Sequence, residues 1–221
     1  YRFANIVLTE CEYMISENNF QKYGTKVGTL FVDVSRFVNK KPIYLRIYDI
    51  GFVGRFSKEK GIQNFLESLK LLDGSYNVIL IGDGDEKNNV LRNSQSLKFT
   101  YIDWVENSML SNHLNDIKLL VVPSYREGLP NTVLESMACG TPVLATPVGG
   151  IPGIIKDEDT GFIMDNNSPE CIAANAIRAL EHPDLEGVAQ RARALVEREF
   201  TFERAMERWQ EILWEVGDGR R

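Results

Sequence analysis

Two cations in one loop could hold a diphosphate. In the loop from Gly54 to Gly61, Arg55 and Lys60 lie five residues apart, so both side chains could converge on one point. Gly54 would let the backbone turn tightly and come close to a ligand. Two fixed cations beside a helix N-terminus suit the charge of a diphosphate. The same residues also fit a solvated turn with surface charges, and this loop alone leaves both interpretations open.

Two carboxylates lie around the start of a predicted helix. Glu127 precedes Asn131, the expected N-cap, and Glu135 lies one turn into the helix. Both could face a ligand at this helix N-terminus, where backbone N–H groups from Gly128 to Thr132 are free to bind polar or anionic groups. Carboxylates accept hydroxyl hydrogens, so the arrangement suits a neutral polyol tethered to phosphate. Alternatively, each glutamate simply stabilises the positive end of the helix dipole, by about 0.3–1 kcal/mol.

Two further loops are rich in glycine. The segment 81–85 reads Ile-Gly-Asp-Gly-Asp. It could be half of a dinucleotide fingerprint, a site where Asp83 and Asp85 bind Mg²⁺ or Mn²⁺, or a strand-to-helix turn, and the turn is favoured. Gly149 and Gly150 follow another apolar run. They would let the backbone approach a ligand, or they form an ordinary turn rich in proline and glycine, which is again favoured.

Alternating strand and helix patterns would position these loops. Continuous apolar runs such as Ile117–Val122 are typical of strands buried on both faces. The predicted strands are 44–53, 76–81, 97–102, 117–122 and 142–145, and the predicted helices are 61–72, 86–94, 108–114, 131–139, 168–181, 184–199 and 201–215. The alternation predicts an α/β fold, a parallel sheet with helices on both faces, and such sheets bind ligands at the carboxyl ends of their strands.

The first 39 residues resemble the end of another structural unit. Short strands are predicted at 4–8 and 26–32, with a helix between them at 10–20, and a polar stretch ending at Pro42 predicts a linker. The sequence therefore predicts a remnant of one domain over 1–39, a complete domain over 40–216 and a disordered tail over 217–221. The chain begins with Tyr1 rather than Met, which favours a piece of a longer protein.

Composition narrows the class of function. The 221 residues carry a net charge of −6, which argues against broad binding to nucleic acid or anionic membranes. The cysteines are Cys11, Cys139 and Cys171, and the histidines are His113 and His182. Neither set has the spacing of metal ligands, and scattered cysteines together with the lack of a signal peptide predict a cytoplasmic protein. No apolar run approaches the roughly 20 residues that span a bilayer.

Four segments in this order resemble the C-terminal half of a family 4 (group 1) glycosyltransferase, over about residues 45 to 215. They read GRFSKEKG from residue 54, IGDGD from residue 81, PSYREGLPNTVLESMACGTPVLATPVGG from residue 123, and TGFIM from residue 160. The resemblance implies a GT-B architecture, in which this Rossmann-like domain binds a UDP-, GDP- or ADP-sugar. It also implies sugar transfer with retention of configuration, without a cofactor and generally without a metal.

The resemblance also implies roles for individual residues. Arg55 and Lys60 would hold the donor diphosphate, Glu127 would contact the sugar hydroxyls, and Glu135 would bind the ribose. The other implied contacts are Gly54, the backbone amides of Gly128, Leu129, Asn131 and Thr132, and Ile102 and Trp104 bordering the base. Asp83 and Asp85 would then belong to a turn rather than to a metal site.

Two residues depart from the family pattern, and most of the partner domain is absent. Lys118 and Gly153 stand where the family often has acidic residues. The N-terminal domain would supply most contacts to a sugar, lipid-linked or other acceptor. We therefore expect this chain to bind a donor but to transfer little sugar. Peripheral association of the longer protein with the inner membrane face is compatible with the resemblance.

Other classes of function predict different features. A nucleotide-sugar 2-epimerase would share the fold but lack the pairing of the two-cation loop with the two glutamates. A metal-dependent GT-A transferase would use Asp83 and Asp85. A dehydrogenase would need a complete G-x-G-x-x-G after the first strand, which this sequence lacks. A non-catalytic nucleotide-binding module stays open for the chain by itself.

Overall fold

The computed structural model describes residues 7–17, 24–26, 28, 30–95 and 97–217. Two parallel strands, β1 (Val7–Thr9) and β2 (Gly24–Lys26), pair with each other around helix α1 (Glu12–Glu17). The predicted strand at 4–8 and helix at 10–20 therefore lie partly outside the described residues. Of the strand predicted at 26–32, Lys26 lies in β2, but the prediction is wrong for residues 28 and 30–32, which are not in a strand; the Val32 amide donates to the Phe200 carbonyl instead.

The main body is a parallel sheet of six strands with helices between them. The strands are β3 (Tyr48–Val53), β4 (Val78–Ile81), β5 (Thr100–Ile102), β6 (Ile117–Val122), β7 (Val143–Ala145) and β8 (Phe162–Ile163). The helices are α2 (Ile62–Leu69), α3 (Lys87–Asn93), α4 (Asn107–Leu114), α5 (Asn131–Ala138), α6 (Ile151–Ile154), α7 (Pro169–Leu180), α8 (Leu185–Glu199) and α9 (Phe202–Gly217). The predicted α/β fold is confirmed.

Strand order reverses beside β3. The order across the sheet is β5-β4-β3-β6-β7-β8, so the chain first builds outward from β3 and then crosses to its other side. Open parallel sheets bind ligands at the carboxyl ends of the strands where this reversal occurs. The two-cation loop, Gly54 to Gly61, follows β3, and the loop that contains Glu127 follows β6. The two loops meet at that point.

Apolar burial on both faces explains the central strands. Every residue of β4 is buried, and in β6 only Lys118 is not fully buried. Lys118 donates to Asp49 Oδ1 of β3 at 2.8 Å, so this departure from the family pattern forms an ion pair at the start of two neighbouring strands. The other departure, Gly153, has open space where a side chain would stand.

Several element boundaries differ from the sequence prediction, and two short elements were not predicted. The strand predicted from residue 44 begins only at Tyr48, because Ile43–Leu45 form a single 3₁₀ turn after Pro42. The two-residue strand β8 and the one-turn helix α6 were not predicted, and both are too short for periodicity to reveal. Gly217, predicted to begin a disordered tail, is the last residue of α9, and 218–221 lie outside the described residues.

A buried arginine joins the ends of several elements. Arg46 is 4% exposed. Its guanidinium donates to the carbonyls of Cys139 and Gly140, at 3.0 and 2.9 Å, just beyond the C-terminus of α5. It also donates to the Ile117 carbonyl at 2.9 Å and to Thr141 Oγ1 at 2.5 Å. Burial lowers the pKa of Arg46 to about 10, so the group stays charged at neutral pH.

Within the described ranges, no helix has the length and apolar character needed to cross a membrane.

Candidate functional site

The carboxyl ends of β3 and β6 open into two adjoining cavities. The first has a volume of about 290 Å³, and its lining includes Gly54, Arg55 and Thr132. The second has a volume of about 650 Å³, and its lining includes Tyr13 of α1. Lys60 and Glu127 line both cavities. The two-cation loop and the first glutamate therefore meet at one place, as the sequence predicts.

Close backbone packing holds Lys60 at this place. Lys60 ends a 3₁₀ turn (Lys58–Lys60) that is closed by Gly61 with φ +70°. A Cβ on Gly61 would lie 2.1 Å from the carbonyl oxygen of Pro123. Because glycine has no side chain, the turn can lie directly against the chain that leaves β6. This contact brings the Lys60 ammonium to the loop that carries Glu127.

The Glu127 carboxylate is held from two sides. Lys60 Nζ lies 2.7 Å from both carboxylate oxygens. The hydroxyl of Ser124 donates to Glu127 Oε1 at 2.6 Å. The Glu127 side chain is 6% exposed and that of Lys60 is 34% exposed, so the carboxylate is shielded from water and the ammonium only partly so. Charge-assisted hydrogen bonds of this length are strong, and they fix the direction of the carboxylate.

Of the two predicted cations, Arg55 is the one whose side chain has no partner among the described residues. Its side chain is exposed, and its guanidinium makes no hydrogen bond or ion pair with the described residues, whereas its backbone carbonyl accepts from the Ser57 amide. Gly54 beside it has φ +152°, and no atom lies within 4 Å of the position that its Cβ would take. The two cations line the same cavity. The Lys60 ammonium is paired with Glu127, whereas the Arg55 guanidinium is available to a ligand.

The start of α5 offers unpaired amides. Pro130, with extended backbone, occupies the N-cap position, and Asn131 is the first helical residue. The prediction of Asn131 as N-cap is therefore wrong, because proline at residue 130 fixes the backbone angle that begins the helix. In the described part of the chain, the amides of Gly128, Leu129, Asn131 and Thr132 donate to no protein acceptor. They are free for a ligand, as the sequence predicts.

Glu135 lies in the second turn of α5, half-buried beside α4. Asn107, the first residue of α4, donates to Glu135 Oε1 at 3.3 Å, and the guanidinium of Arg36 donates in turn to Asn107. Burial raises the pKa of the Glu135 carboxyl above its ordinary value of 4.5, while Asn107 and Arg36 act in the opposite direction. Asn107 and Arg36 were not predicted, because only the tertiary fold brings them to the helix.

Ile102 and Trp104 lie farther away. Ile102 ends β5, an edge strand that is separated from β3 by β4. The Trp104 side chain is 72% exposed. Neither residue lines the two cavities. Glu135 does not line these cavities either. Leu129 and Asn131 do not line them, although both are chain neighbours of residues that do.

The glycines of the segment 81–85 are required by backbone packing. Gly82 and Gly84 have φ near +150°, and a Cβ on either would collide with the backbone of Gly54 or Phe56. Asp83 lies 3.5 Å from the ammonium of Lys87. In the described ranges, no three or more His, Cys, Asp or Glu side chains gather as a metal site would need.

Gly149 and Gly150 support the Glu127 loop. A Cβ on Gly149 would lie 1.9 Å from the Glu127 carbonyl oxygen. The amide of Gly150 donates to the Gly128 carbonyl at 2.6 Å. The space for a side chain at this turn is taken by the protein's own backbone, and Gly149 also lines the larger cavity, so the turn and the approach of a ligand both stay compatible with the structure.

This arrangement can bind a molecule that combines an anion with a polyol. Arg55, Lys60 and the α5 amides present positive charge and hydrogen-bond donors. Glu127 at the cavities and Glu135 in the second turn of α5 present acceptors for hydroxyl groups. Preorganised donors of this kind also stabilise negative charge as it develops on a departing phosphate.

Solved structures with the same fold include carbohydrate-active enzymes. The sucrose-phosphate synthase of Thermosynechococcus elongatus aligns with a TM-score of 0.84 and 20% identity, covering 97% of this chain and 59% of that one. HepE of Anabaena, in complex with UDP and glucose, aligns with a TM-score of 0.81 and 18% identity, covering 98% of this chain and 64% of that one.

Curated proteins with similar sequences include a named glycosyltransferase. N-acetyl-alpha-D-glucosaminyl L-malate synthase of Bacillus anthracis is 28% identical over 171 residues, which cover 74% of this chain and 44% of that protein. The capsular polysaccharide biosynthesis glycosyltransferase CapM of Staphylococcus aureus is 28% identical over 177 residues, covering 75% of this chain and 43% of CapM. The chain thus spans about half the length of the curated relatives that it matches.

The family model described as glycosyl transferases group 1 matches residues 33–195, which include β3 to β8 and all of the site loops. The chain therefore belongs to the group 1 glycosyl transferases.

Proposed function

We propose that this chain forms the donor site of a glycosyltransferase that takes a sugar from a UDP-, GDP- or ADP-sugar. One observation carries the proposal. At the reversal point of the sheet, the Lys60–Glu127 pair stands beside the Arg55 guanidinium and the first amides of α5, which have no partner among the residues that the structure describes. A nucleotide sugar has a diphosphate for the donors and hydroxyl groups for the carboxylates. The structure of HepE with UDP and glucose supports the same assignment by analogy of fold.

Each residue has a proposed role in this site. Arg55 and Lys60 bind the diphosphate and stabilise the charge that develops on it as the glycosyl bond breaks. The amides of Asn131 and Thr132 add donors to a phosphate, and those of Gly128 and Leu129 meet the sugar. Ile102 and Trp104 would border the base only if the ligand extends beyond the two cavities.

The two carboxylates bind different parts of the donor. Glu127 accepts hydrogen bonds from the sugar hydroxyls, and Glu135 accepts them from the ribose. We do not assign Glu127 as a covalent nucleophile, because the paired-carboxylate chemistry of glycosidases requires both groups at the reacting carbon. We propose transfer with retention of configuration, in which the two cations provide the charge stabilisation that a divalent metal provides in other transferases.

The acceptor, a sugar or a lipid-linked molecule, is proposed to bind mainly outside residues 40–216. The curated relatives are about twice as long as the part that this chain matches. We therefore expect the 221-residue chain to bind donor and to transfer little or no sugar. Release of nucleotide from donor, measured with candidate acceptors, tests this expectation, and robust transfer by the chain alone would contradict it.

Titration calorimetry with UDP, GDP, ADP and their glucose conjugates tests the donor site. We expect saturable binding of one base class, weakened about tenfold or more by Glu135→Ala, because the ribose then loses a charged acceptor. Glu67→Ala, which removes an exposed glutamate paired only with Lys70, is the matched control and should leave binding unchanged. Absence of saturable binding by all three classes would refute the proposed function.

Donor binding should depend on pH through Glu135. The carboxylate must be ionised to accept two ribose hydroxyls, and burial raises its pKa above 4.5. As the pH falls from 8, we expect affinity for the nucleotide to decline earlier than an exposed glutamate would allow. Glu135→Gln cannot titrate, so its affinity should be lower at pH 8 and should lack this part of the decline. Identical pH profiles for the two proteins would contradict the assignment.

A further inference from the structure

A buried serine contacts the glutamate at the centre of the site. Ser124 is 1% exposed, and its hydroxyl donates to Glu127 Oε1 at 2.6 Å. The Ser124 carbonyl in turn accepts from Thr146 Oγ1 at 2.5 Å, and Thr146 is 3% exposed. Thr146 follows β7, and its amide donates to the Val122 carbonyl at the end of β6. These bonds tie the Ser124 backbone to two neighbouring strands, and from that backbone its hydroxyl reaches Glu127.

The other partner of Glu127 is less firmly committed. Lys60 Nζ contacts both carboxylate oxygens at 2.7 Å, but its side chain is 34% exposed and lies on a separate loop. It also lines the cavity that Arg55 shares. A diphosphate bound there would attract Lys60 more strongly than a single carboxylate does, because it carries more negative charge. Donor binding thus draws away one of the two groups that hold Glu127.

We propose that Ser124 is the positioning residue that keeps the Glu127 carboxylate directed at the donor sugar when Lys60 turns to the diphosphate. This inference rests on the proposed function and goes beyond it, since it separates the groups that hold the nucleotide from those that recognise the sugar. The Ser124 hydroxyl needs no contact with the ligand to do so. Its donated bond occupies one carboxylate oxygen and leaves Oε2 and the remaining lone pairs for hydroxyl groups.

The inference predicts a selective loss in Ser124→Ala. Without the hydroxyl, the carboxylate is held by Lys60 alone, and a bound diphosphate removes that contact. Affinity for UDP-glucose should fall about tenfold, the effect of one hydrogen bond to a charged group. Affinity for UDP, which has no sugar for Glu127 to contact, should change less than twofold. A purely structural defect would weaken both ligands equally.

Calorimetry on four proteins tests the inference: the unmodified chain, Ser124→Ala, Glu127→Ala and the double variant. If another base class binds in the panel of nucleotides, its diphosphate and glucose conjugate replace UDP and UDP-glucose. We expect the Ser124→Ala effect on the sugar conjugate to vanish in the Glu127→Ala background. Ser68→Ala removes a buried serine hydroxyl bonded within α2 and should affect neither ligand.

Three results would overturn the inference. Equal weakening of the diphosphate and its sugar conjugate, or an undiminished Ser124→Ala effect in the Glu127→Ala background, would refute the role of Ser124 while leaving the donor site intact. Absence of nucleotide binding by the unmodified chain would refute the proposed function and this inference with it. If Ser124→Ala does not fold, Thr146→Val provides a second variant. It removes the hydrogen bond to the Ser124 carbonyl but leaves the Ser124 hydroxyl in place, and it should weaken the sugar conjugate more than the diphosphate, to a smaller extent than Ser124→Ala.

Discussion

Replacing Lys60 with alanine is expected to weaken the binding of a nucleotide sugar strongly and, in a full-length transferase, to slow sugar transfer. The ammonium is the cation of the site that is bound to Glu127, 2.7 Å from each carboxylate oxygen. Removing it deletes charge from the diphosphate position and also leaves the Glu127 carboxylate, 6% exposed, with only the Ser124 hydroxyl as a partner. We expect affinity for the nucleotide diphosphate to fall at least tenfold. In a full-length transferase containing this domain, the transfer rate should fall by about 10²–10³.

Lys58→Ala is the matched control for Lys60→Ala. Lys58 belongs to the same 3₁₀ turn and carries the same charge, but it is exposed and does not line the two cavities of the site. Calorimetry should give an affinity within twofold of the unmodified protein for Lys58→Ala. Thermal melting of both variants separates loss of binding from loss of folding. Equal affinities for Lys60→Ala and Lys58→Ala would show that the turn contributes only general surface charge.

Replacing Arg46 with leucine is expected to cause the largest loss of stability. Arg46 is 4% exposed, and its guanidinium donates to backbone carbonyls just beyond the C-terminus of α5 and at the first residue of β6. Leucine has similar bulk but no donors, so several buried carbonyls would lose their partners. The expected loss is on the order of 3–5 kcal/mol of unfolding free energy, comparable to breaking a buried ion pair. That is a large part of the roughly 5–15 kcal/mol that domains possess.

Urea denaturation measures this loss. Arg191→Leu serves as the control, because Arg191 forms ion pairs with Asp159 and Asp184 at the surface, where such pairs contribute about 0–1 kcal/mol. The midpoint for Arg46→Leu should fall far below that of Arg191→Leu. Indistinguishable midpoints would mean that water replaces the guanidinium at little cost, and that Arg46 does not join these elements.

Much of the site could be predicted from the sequence because its parts are local. The apolar run Ile117–Val122 is a strand with the predicted bounds, since a strand buried on both faces has a continuous apolar pattern. Loops that follow successive parallel strands open on one edge of a sheet. The positions of Arg55, Lys60 and Glu127 around shared cavities follow from that rule.

Contacts between distant segments could not be predicted. The pairing of Lys60 with Glu127 joins residues 67 positions apart, and the hydrogen bond from Asn107 to Glu135 spans 28. Arg46 falls within the strand predicted at 44–53, and no sequence pattern shows that the carbonyls of Ile117, Cys139 and Gly140 converge on its guanidinium. Ser124 is one residue of the long segment that begins at Pro123. Only its burial and its 2.6 Å hydrogen bond to Glu127 distinguish it from its neighbours.

A crystal structure of the protein with its bound nucleoside diphosphate and with the corresponding nucleotide sugar tests the donor site most directly. We predict the diphosphate within about 3 Å of Lys60 Nζ and of the Asn131 and Thr132 amides, a distance typical of charge-assisted hydrogen bonds. The ribose hydroxyls should lie at Glu135 and the sugar hydroxyls at Glu127. A diphosphate held instead by a metal on Asp83 and Asp85, or a nucleotide bound away from the ends of β3 and β6, would contradict the account.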